Sequence, residues 1–363
     1  MDKRIIAHLD MDAFFASIEE VSTPGFLGKP IVVGSEIHEG KGRGVVSTAN
    51  YKAREYGIHS AQPITIAWRL SQKAKKEGKP EAIFLPVDFK LYNKVSSNIL
   101  KIIKKYSSIV EQASIDEFYF DLSFLKTYEE VEKVCKKIKE EIKKEERITC
   151  SIGIGGNKLI SKIAAGVNKP DGLLLIKEKD VKDFLNPLKI EKIPGIGPKT
   201  AKFFHEMNIS TVEDLKRFSK EELEEMLGKP GIGIYYSAMG IDNSPVIEYY
   251  EVKSIGEQTT FNRNTLDFAF IFDVFRELSN DVFKRFIKSE FFKFNTITIT
   301  IRFADFETKT SSKSFKEGFK KSDKKRFNFE VLKLFLPFLD KRRNPKRKLI
   351  RLIGVRVEKF GKK

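Results

Sequence analysis

Three acidic residues, Asp10, Asp116 and Glu117, open the question of chemistry. Asp10 ends an apolar run at 4–9 that reads as a buried strand. Asp116 and Glu117 sit at the apex between two strand-like runs, 109–113 and 117–122. Carboxylates in such places are costly unless something pairs with them. Two divalent cations about 3.5–4 Å apart would do so, and a pair of that kind serves phosphoryl transfer. Neighbouring strand residues face opposite ways, so Asp116 and Glu117 can share a site only if the chain turns there. Acids in surface turns have the same local pattern, and at this level a metal cage and a solvated turn remain alternatives.

Around these acids the chain mixes strands and helices as far as about residue 176. Strands are expected at 29–34, 44–48 and 149–154, and helices at 13–21, 49–57, 63–78, 128–146 and 157–167. Phe89, Tyr92, Val95, Ile99, Ile102 and Ile103 recur at helical spacing, which predicts a helix over 88–106 with one apolar face. A wholly helical stretch follows from about 178 to 242. Residues 243–252 lack a period, carry Pro245 and read as a linker. Beyond them, strand patterns at 296–303 and 349–357 alternate with helical patterns at 267–288 and 324–340.

Of 363 residues, 41% are hydrophobic, which is enough for globular cores. The start of the chain carries acids where a secretion signal needs an apolar run, so a cytoplasmic, nucleoid-associated protein without membrane contact is expected. Cys135 and Cys150 read as buried thiols. The net charge is +17. From residue 252 onward, 28 Lys/Arg stand against 13 Asp/Glu, so a net +15 lies in the last third. A positive domain joined to a near-neutral one points to a polyanionic partner.

Five segments, in this order, resemble the motifs of the Y-family DNA polymerases: LDMDAFFASIEE (9–20), STANYKAR (47–54), ASIDE (113–117), the run 151–172 ending NKPDG, and IPGIG (193–197). The DinB branch, DNA polymerase IV and its archaeal counterparts, is the best match. Past residue 250 the likeness rests on KSIG (253–256) and RLIGVRV (351–357). The resemblance implies an α+β multidomain, right-hand polymerase. Its palm would be 1–13 and 81–176, its fingers 14–80, its helical thumb 177–242, a linker 243–251 and a C-terminal α+β little finger 252–360. It implies error-prone translesion synthesis without proofreading, with two Mg²⁺ per site for which Mn²⁺ can substitute. Asp10, Asp116, Glu117 and the Met11 carbonyl would hold the metals. Phe14 and Phe15 would present backbone amides to the incoming triphosphate, and the Phe15 ring would be the steric gate against a 2′-OH. Tyr51, Arg54 and Lys169 would hold the triphosphate, and Ser47 and Thr48 would lie near the nascent base pair.

Residues 193–201 look like a helix-hairpin-helix, with Gly195, Gly197 and Lys199 against a DNA phosphate. GKPGIG (228–233) looks like a second, weaker copy. In the little finger, Lys253, Lys313, Lys316, Arg351 and Arg356 are the expected phosphate partners. Primer–template DNA and dNTPs are the expected ligands of a monomer. A sliding clamp is a further candidate, although the ending EKFGKK offers no clear clamp peptide. A nucleotidyl cyclase and a catalytically inert DNA-binding accessory are the rival readings. The first would not need the basic domain, and the intact acidic trio argues against the second.

Overall fold

The computed structural model describes residues 4–362, so the first three residues of the expected palm lie outside it. The chain forms two compact units. Residues up to Lys41 and Val45–Tyr249 make the first; Gly42–Gly44 and everything from Tyr250 make the second.

The first unit begins with β1 (Ile6–Met11), α1 (Phe14–Ser22), β2 (Ile31–Gly34), β3 (Val46–Ala49), α2 (Tyr51–Arg54), α3 (Ile64–Lys76), β4 (Ile83–Pro86) and α4 (Phe89–Lys104). It continues with β5 (Val110–Gln112), β6 (Glu117–Asp121), α5 (Tyr128–Glu146), β7 (Cys150–Gly155), α6 (Lys158–Ala165) and β8 (Leu173–Leu175). Five strands form a sheet in the order β5-β6-β1-β7-β8, with β1 in the middle and antiparallel to both neighbours. Because side chains alternate across a strand, the two faces of this sheet have separate tasks. Ala7, Leu9, Phe118, Phe120, Ile152 and Ile154 pack with Tyr92, Ile99 and Ile103 of α4 and Cys135, Ile138 and Ile142 of α5. Each of the Leu, Ile and Phe side chains among them contributes roughly 1.5–3 kcal/mol on full burial. The opposite face receives α6. A Cβ on Gly153 would stand 2.0 Å from the Ser161 carbonyl oxygen, so only glycine lets α6 press onto β7 here.

Capping sets the helix ends. Asp88 accepts from Leu91 N at the start of α4, and Thr127 accepts from Glu130 N at the start of α5. A three-stranded sheet, β3-β2-β4, stands beside α1 and is pinned by Asn50, which accepts from Ile31 N and Ala53 N at 3.0 Å each.

The rest of the first unit is helical: α7 (Val181–Leu185), α8 (Pro198–Glu206), α9 (Val212–Leu215), α10 (Lys220–Leu227) and α11 (Lys229–Ala238). Its core joins Phe204, Val212, Leu215 and Leu223 to Ile160 and Ile163 of α6. Capping boxes at Thr211/Asp214 and Ser219/Glu222 start α9 and α10. The second hairpin expected at 228–233 is corrected. Only Gly228, at φ 68°, forms the turn, and Gly231 and Gly233 lie inside α11. Gly231 serves packing, since its Cβ would meet the Leu223 carbonyl oxygen at 1.9 Å.

The second unit contains β9 (Ser254–Thr265), α12 (Phe268–Lys288), β10 (Lys293–Phe303), β11 (Thr308–Lys320), α13 (Lys324–Phe335) and β12 (Ile350–Gly361). The sheet order is β11-β10-β12-β9, antiparallel throughout. Ile297, Ile299, Ile301 and Phe303 face the two helices, where Phe275 stacks on Phe335 with centroids 4.3 Å apart. Thr296, Thr298 and Thr300 point to the other face. Strands β4, β8, β9 and β11 were not expected from sequence. The first two are short. The last two are mostly polar, and their few inward apolar residues, Ile255 and Phe261 on β9 and Phe319 on β11, are too sparse to show an alternation.

Candidate active site

Asp10 stands opposite Glu117 in the β1–β6 ladder and opposite Ser151 in the β1–β7 ladder. Directly opposed residues share a face, so both carboxylates project on the α6 side of the sheet. Asp116 is held next to them by its carbonyl, which accepts from Met11 N at 3.0 Å. The Asp116 side chain turns aside and accepts from Ser114 Oγ at 2.6 Å, while Ser114 Oγ accepts from Glu117 N at 3.0 Å. The tight turn thus brings the three acids together at the main chain. Their side chains do not converge as a ready-made cage, and no group of three or more acidic, His or Cys side chains among the described residues does so.

Two lysines pair with the carboxylates. Lys169 Nζ donates to Asp10 Oδ1 and reaches the Met11 carbonyl at 3.3 Å. Lys162 Nζ, from α6, donates to both oxygens of Glu117 at 2.7 and 2.6 Å. Burial pushes the Asp10 carboxyl above its usual range, and Lys169 partly offsets the shift. Glu117 is held low, at about 2, by the facing His8 ring and by Lys162. His8 Nε2 stands 3.8 Å away, too far for a hydrogen bond, so Lys162 is the stronger contact. Burial lowers His8 itself, leaving a neutral ring. The donor set of three carboxylates and one carbonyl is all hard oxygen, and ammonium groups already stand against two of the carboxylates. These residues therefore fit Mg²⁺ or Mn²⁺.

The turn after β1 makes a second feature. Ala13 adopts φ 47° and caps α1 without a side-chain bond, so Phe14 and Phe15 begin the helix with free N–H groups. Phe14 is buried at 1% exposure. Phe15 is half-buried and stacks on Tyr92 at 4.3 Å, with rings 11° from parallel; Tyr92 in turn donates to Glu19 at 2.6 Å. A ring held flat in this way has the rigidity that a gate requires. On α2, Arg54 lies over the Tyr51 ring at 4.6 Å and donates to the Ala49 carbonyl at 2.9 Å. The Tyr51 hydroxyl is buried without a hydrogen-bond acceptor, and burial followed by Asp12 pushes its pKa up to about 12. Ser47 and Thr48 are half-buried on β3.

Asp12 is 2% exposed. It accepts from Thr149 Oγ1 at 2.8 Å, Ser151 Oγ at 2.9 Å and Asp171 N at 2.8 Å. It thereby ties β7 and the loop that carries Lys169 to the end of β1. Lys162 and Ser114 were missed in sequence. Lys162 sits among many lysines, and only the register of the sheet singles it out.

In the expected helix-hairpin-helix, Gly195 has φ 96°, and Gly197 precedes Pro198 at the start of α8, which has no side-chain cap. Lys199 lies in the first turn of α8. In the second unit, Arg356 opposes Thr298 on the open face of the sheet. Lys313 departs from expectation: it opposes Ile297 on the helix-covered side and pairs with Glu330 at 2.9 Å. Arg351 lies over Phe306 at 4.6 Å, and Lys253 and Lys316 are exposed.

Three family models match the chain: the impB/mucB/samB family at residues 9–166, its C-terminal domain at 252–363 and its helix-hairpin-helix motif at 178–209. A curated relative from Methanosarcina mazei, named DNA polymerase IV 2, is 39% identical over 99% of this chain and 93% of its own length. The chain belongs to the Y-family DNA polymerases. A DNA polymerase IV from Leptospira interrogans is 37% identical over 98% of this chain and 95% of its own length. Among solved structures, a Y-family polymerase chimera of Dbh and Dpo4 matches with a TM-score of 0.83 at 31% identity, covering 99% of this chain and all of that one. An insertion ternary complex of Dbh DNA polymerase matches at 0.67, also at 31% identity and over 99% and 100% of the two chains. This Y-family member is accordingly a DNA-directed DNA polymerase, a nucleotidyltransferase of DNA repair and translesion synthesis, and its family is metal-dependent. Its fold is the α+β fold of these polymerases. No helix among the described residues is long and apolar enough to cross a membrane.

Proposed function

We propose that this polymerase extends a primer across damaged template by in-line attack of the 3′-OH on the α-phosphate of a dNTP, and that it lacks proofreading. The observation that carries the proposal is the register pairing of Asp10 with Glu117, next to Asp116, on the α6 face of the sheet. Asp10, Asp116, Glu117 and the Met11 carbonyl would hold two Mg²⁺. When bound, these ions supply charge that favours the ionised 3′-OH and the leaving pyrophosphate. The protein's own groups do the rest. The N–H groups of Phe14 and Phe15, the Tyr51 hydroxyl, Arg54 and Lys169 grip the triphosphate through charge-assisted bonds. Phe15, backed by Tyr92, closes the space a ribose 2′-OH would need. Ser47 and Thr48 line the nascent pair.

Residues 1–13 and 81–176 act as palm, 14–80 as fingers, 177–242 as thumb, 243–251 as linker and 252–360 as little finger. Backbone amides around Gly195, Gly197 and Lys199 take a DNA phosphate without reading sequence. Lys253, Lys316, Arg351 and Arg356 add to the grip. The protein works as a cytoplasmic monomer on primer–template DNA and dNTPs.

Primer extension with Mg²⁺ on intact and abasic templates tests this reading. Extension on both is expected, with no shortening of a mismatched primer. Asp116→Ala should abolish extension and leave DNA affinity within about twofold. Substantial synthesis by that variant would remove Asp116 from the site.

A further inference from the structure

Lys162 does more than neutralise Glu117. Its side chain is 33% exposed and lines a cavity of about 540 Å³ between α6 and α11. Lys158, one turn earlier on α6, lines the same cavity but is committed elsewhere. It bonds the buried Glu111 carboxylate at 2.6 Å and lies over the Tyr119 ring at 4.6 Å. Tyr236 and Asn243 form part of the far wall. Two further lining residues decide what the cavity is for. Pro194 belongs to the 193–197 hairpin loop, and Gly233 lies on α11. The lining therefore runs from the 193–197 loop, past the Asp242 carboxylate that accepts from Leu159 N, to the Lys162 ammonium that faces Glu117.

The charges around Glu117 set up an exchange. With Lys162 against it, Glu117 has a matched partner. Three carboxylates around two dications give a net +1, and the Glu117 oxygens are then engaged. An ammonium beside them is repelled and left in a partly desolvated cleft that needs an anion. A strand leading from the hairpin loop to the reacting end would bring a phosphate oxyanion there.

We propose that Lys162 is a positioning residue that exchanges Glu117 for a backbone phosphate near the 3′ end of the primer strand when cations load. The proposal rests on Glu117 being a metal ligand. The exchange makes the grip on the primer end depend on a loaded site, so that a terminus is fixed only where it can react.

The test uses the full chain and fluorescein-labelled primer–template DNA, with affinity read by anisotropy with and without Ca²⁺, across a salt series. With Ca²⁺, Lys162→Ala should bind about fivefold more weakly, and the log–log salt slope should fall by about one. Without divalent ions the variant should match the parent, because Lys162 is then held by Glu117. Lys162→Arg should keep the Ca²⁺-dependent grip, and melting curves confirm that both variants fold. Equal weakening with and without Ca²⁺ would overturn the exchange, as would no weakening at all. A second arm separates the sources of phosphate. A raised KM for dNTP or weaker pyrophosphate inhibition, with unchanged DNA affinity, would move Lys162 to the nucleotide and overturn the primer assignment. Binding of Mn²⁺ to the DNA-free chain, followed by the spin resonance of the free ion, reports on Glu117 by itself. Unchanged Mn²⁺ binding in Glu117→Gln would sink the metal assignment and the exchange with it. Weakened Mn²⁺ binding there, alongside a Ca²⁺-independent Lys162→Ala effect, would sink the exchange alone.

Discussion

Replacing Asp12 by Asn removes a charge and almost no volume, so it isolates what the carboxylate holds. The side chain is buried and accepts from Thr149 Oγ1, Ser151 Oγ and Asp171 N, all within 2.9 Å. If the Asn carbonyl faces Thr149 and Asp171, the amide faces Ser151 and that bond is lost. Ser151 Oγ already accepts from Gly172 N at 3.1 Å, so its proton is left without an acceptor. One charge-assisted bond lost and two weakened come to about 2 kcal/mol. Asp12→Ala orphans all three donors and should cost about 4 kcal/mol. For a unit of this size, 2 kcal/mol corresponds to a fall of about 4–8 °C in Tm, readable by calorimetry. The Asp171 amide anchors the loop that carries Lys169, so single-nucleotide insertion should show KM for dNTP raised several-fold with DNA affinity intact. Unchanged Tm together with unchanged KM in Asp12→Asn would refute the role of Asp12 as an anchor.

Phe15→Ala should admit ribonucleotides, with rNTP/dNTP selectivity falling by at least tenfold in single-insertion assays; unaltered selectivity would place the gate elsewhere. Asp214 is held below the usual carboxylate range by the Thr211 hydroxyl and then by the Ser210 and Thr211 amides. Its stabilising effect is therefore present above the ordinary Asp value of about 3.9 and is lost as pH falls through the lower folded value. Melts between pH 3 and 7 should show a shallower acid decline in Asp214→Asn than in the parent. DNA affinity should fall steeply and linearly on a log–log salt plot, and replacing Arg356 by Ala should reduce the slope by about one.

Much of this molecule could be read before folding. The α5 span carries an apolar period that burial follows, the α4 face does so except at Phe89, which is 57% exposed, and the run ending at Asp10 is a short core strand buried from Ile5 to Leu9. Asp10, Asp116 and Glu117 could be named from motif likeness, but their meeting depends on the β1–β6 register, which no local pattern records. Lys162 was hidden for the same reason. Its helix is ordinary, and its importance comes from lying over the face on which Glu117 projects. Strands β9 and β11 escaped notice because their outward residues are polar and their inward apolar ones are sparse. The loop 228–233 misled because glycine also marks close helix contact, as Gly231 does against Leu223.

The polar strands that were hard to recognise lie at the two borders of the second unit's sheet, where one side of each backbone pairs with no further strand among the described residues. A border strand offers a template for stacking against another molecule. β11 carries Lys309, Lys313, Lys316 and Lys320 along its length. Two such borders meeting would press like charges together, so the sheet is guarded against growth from chain to chain. The same lysines that hide the strand from a sequence reader would keep a protein crowded onto DNA from seeding fibrils.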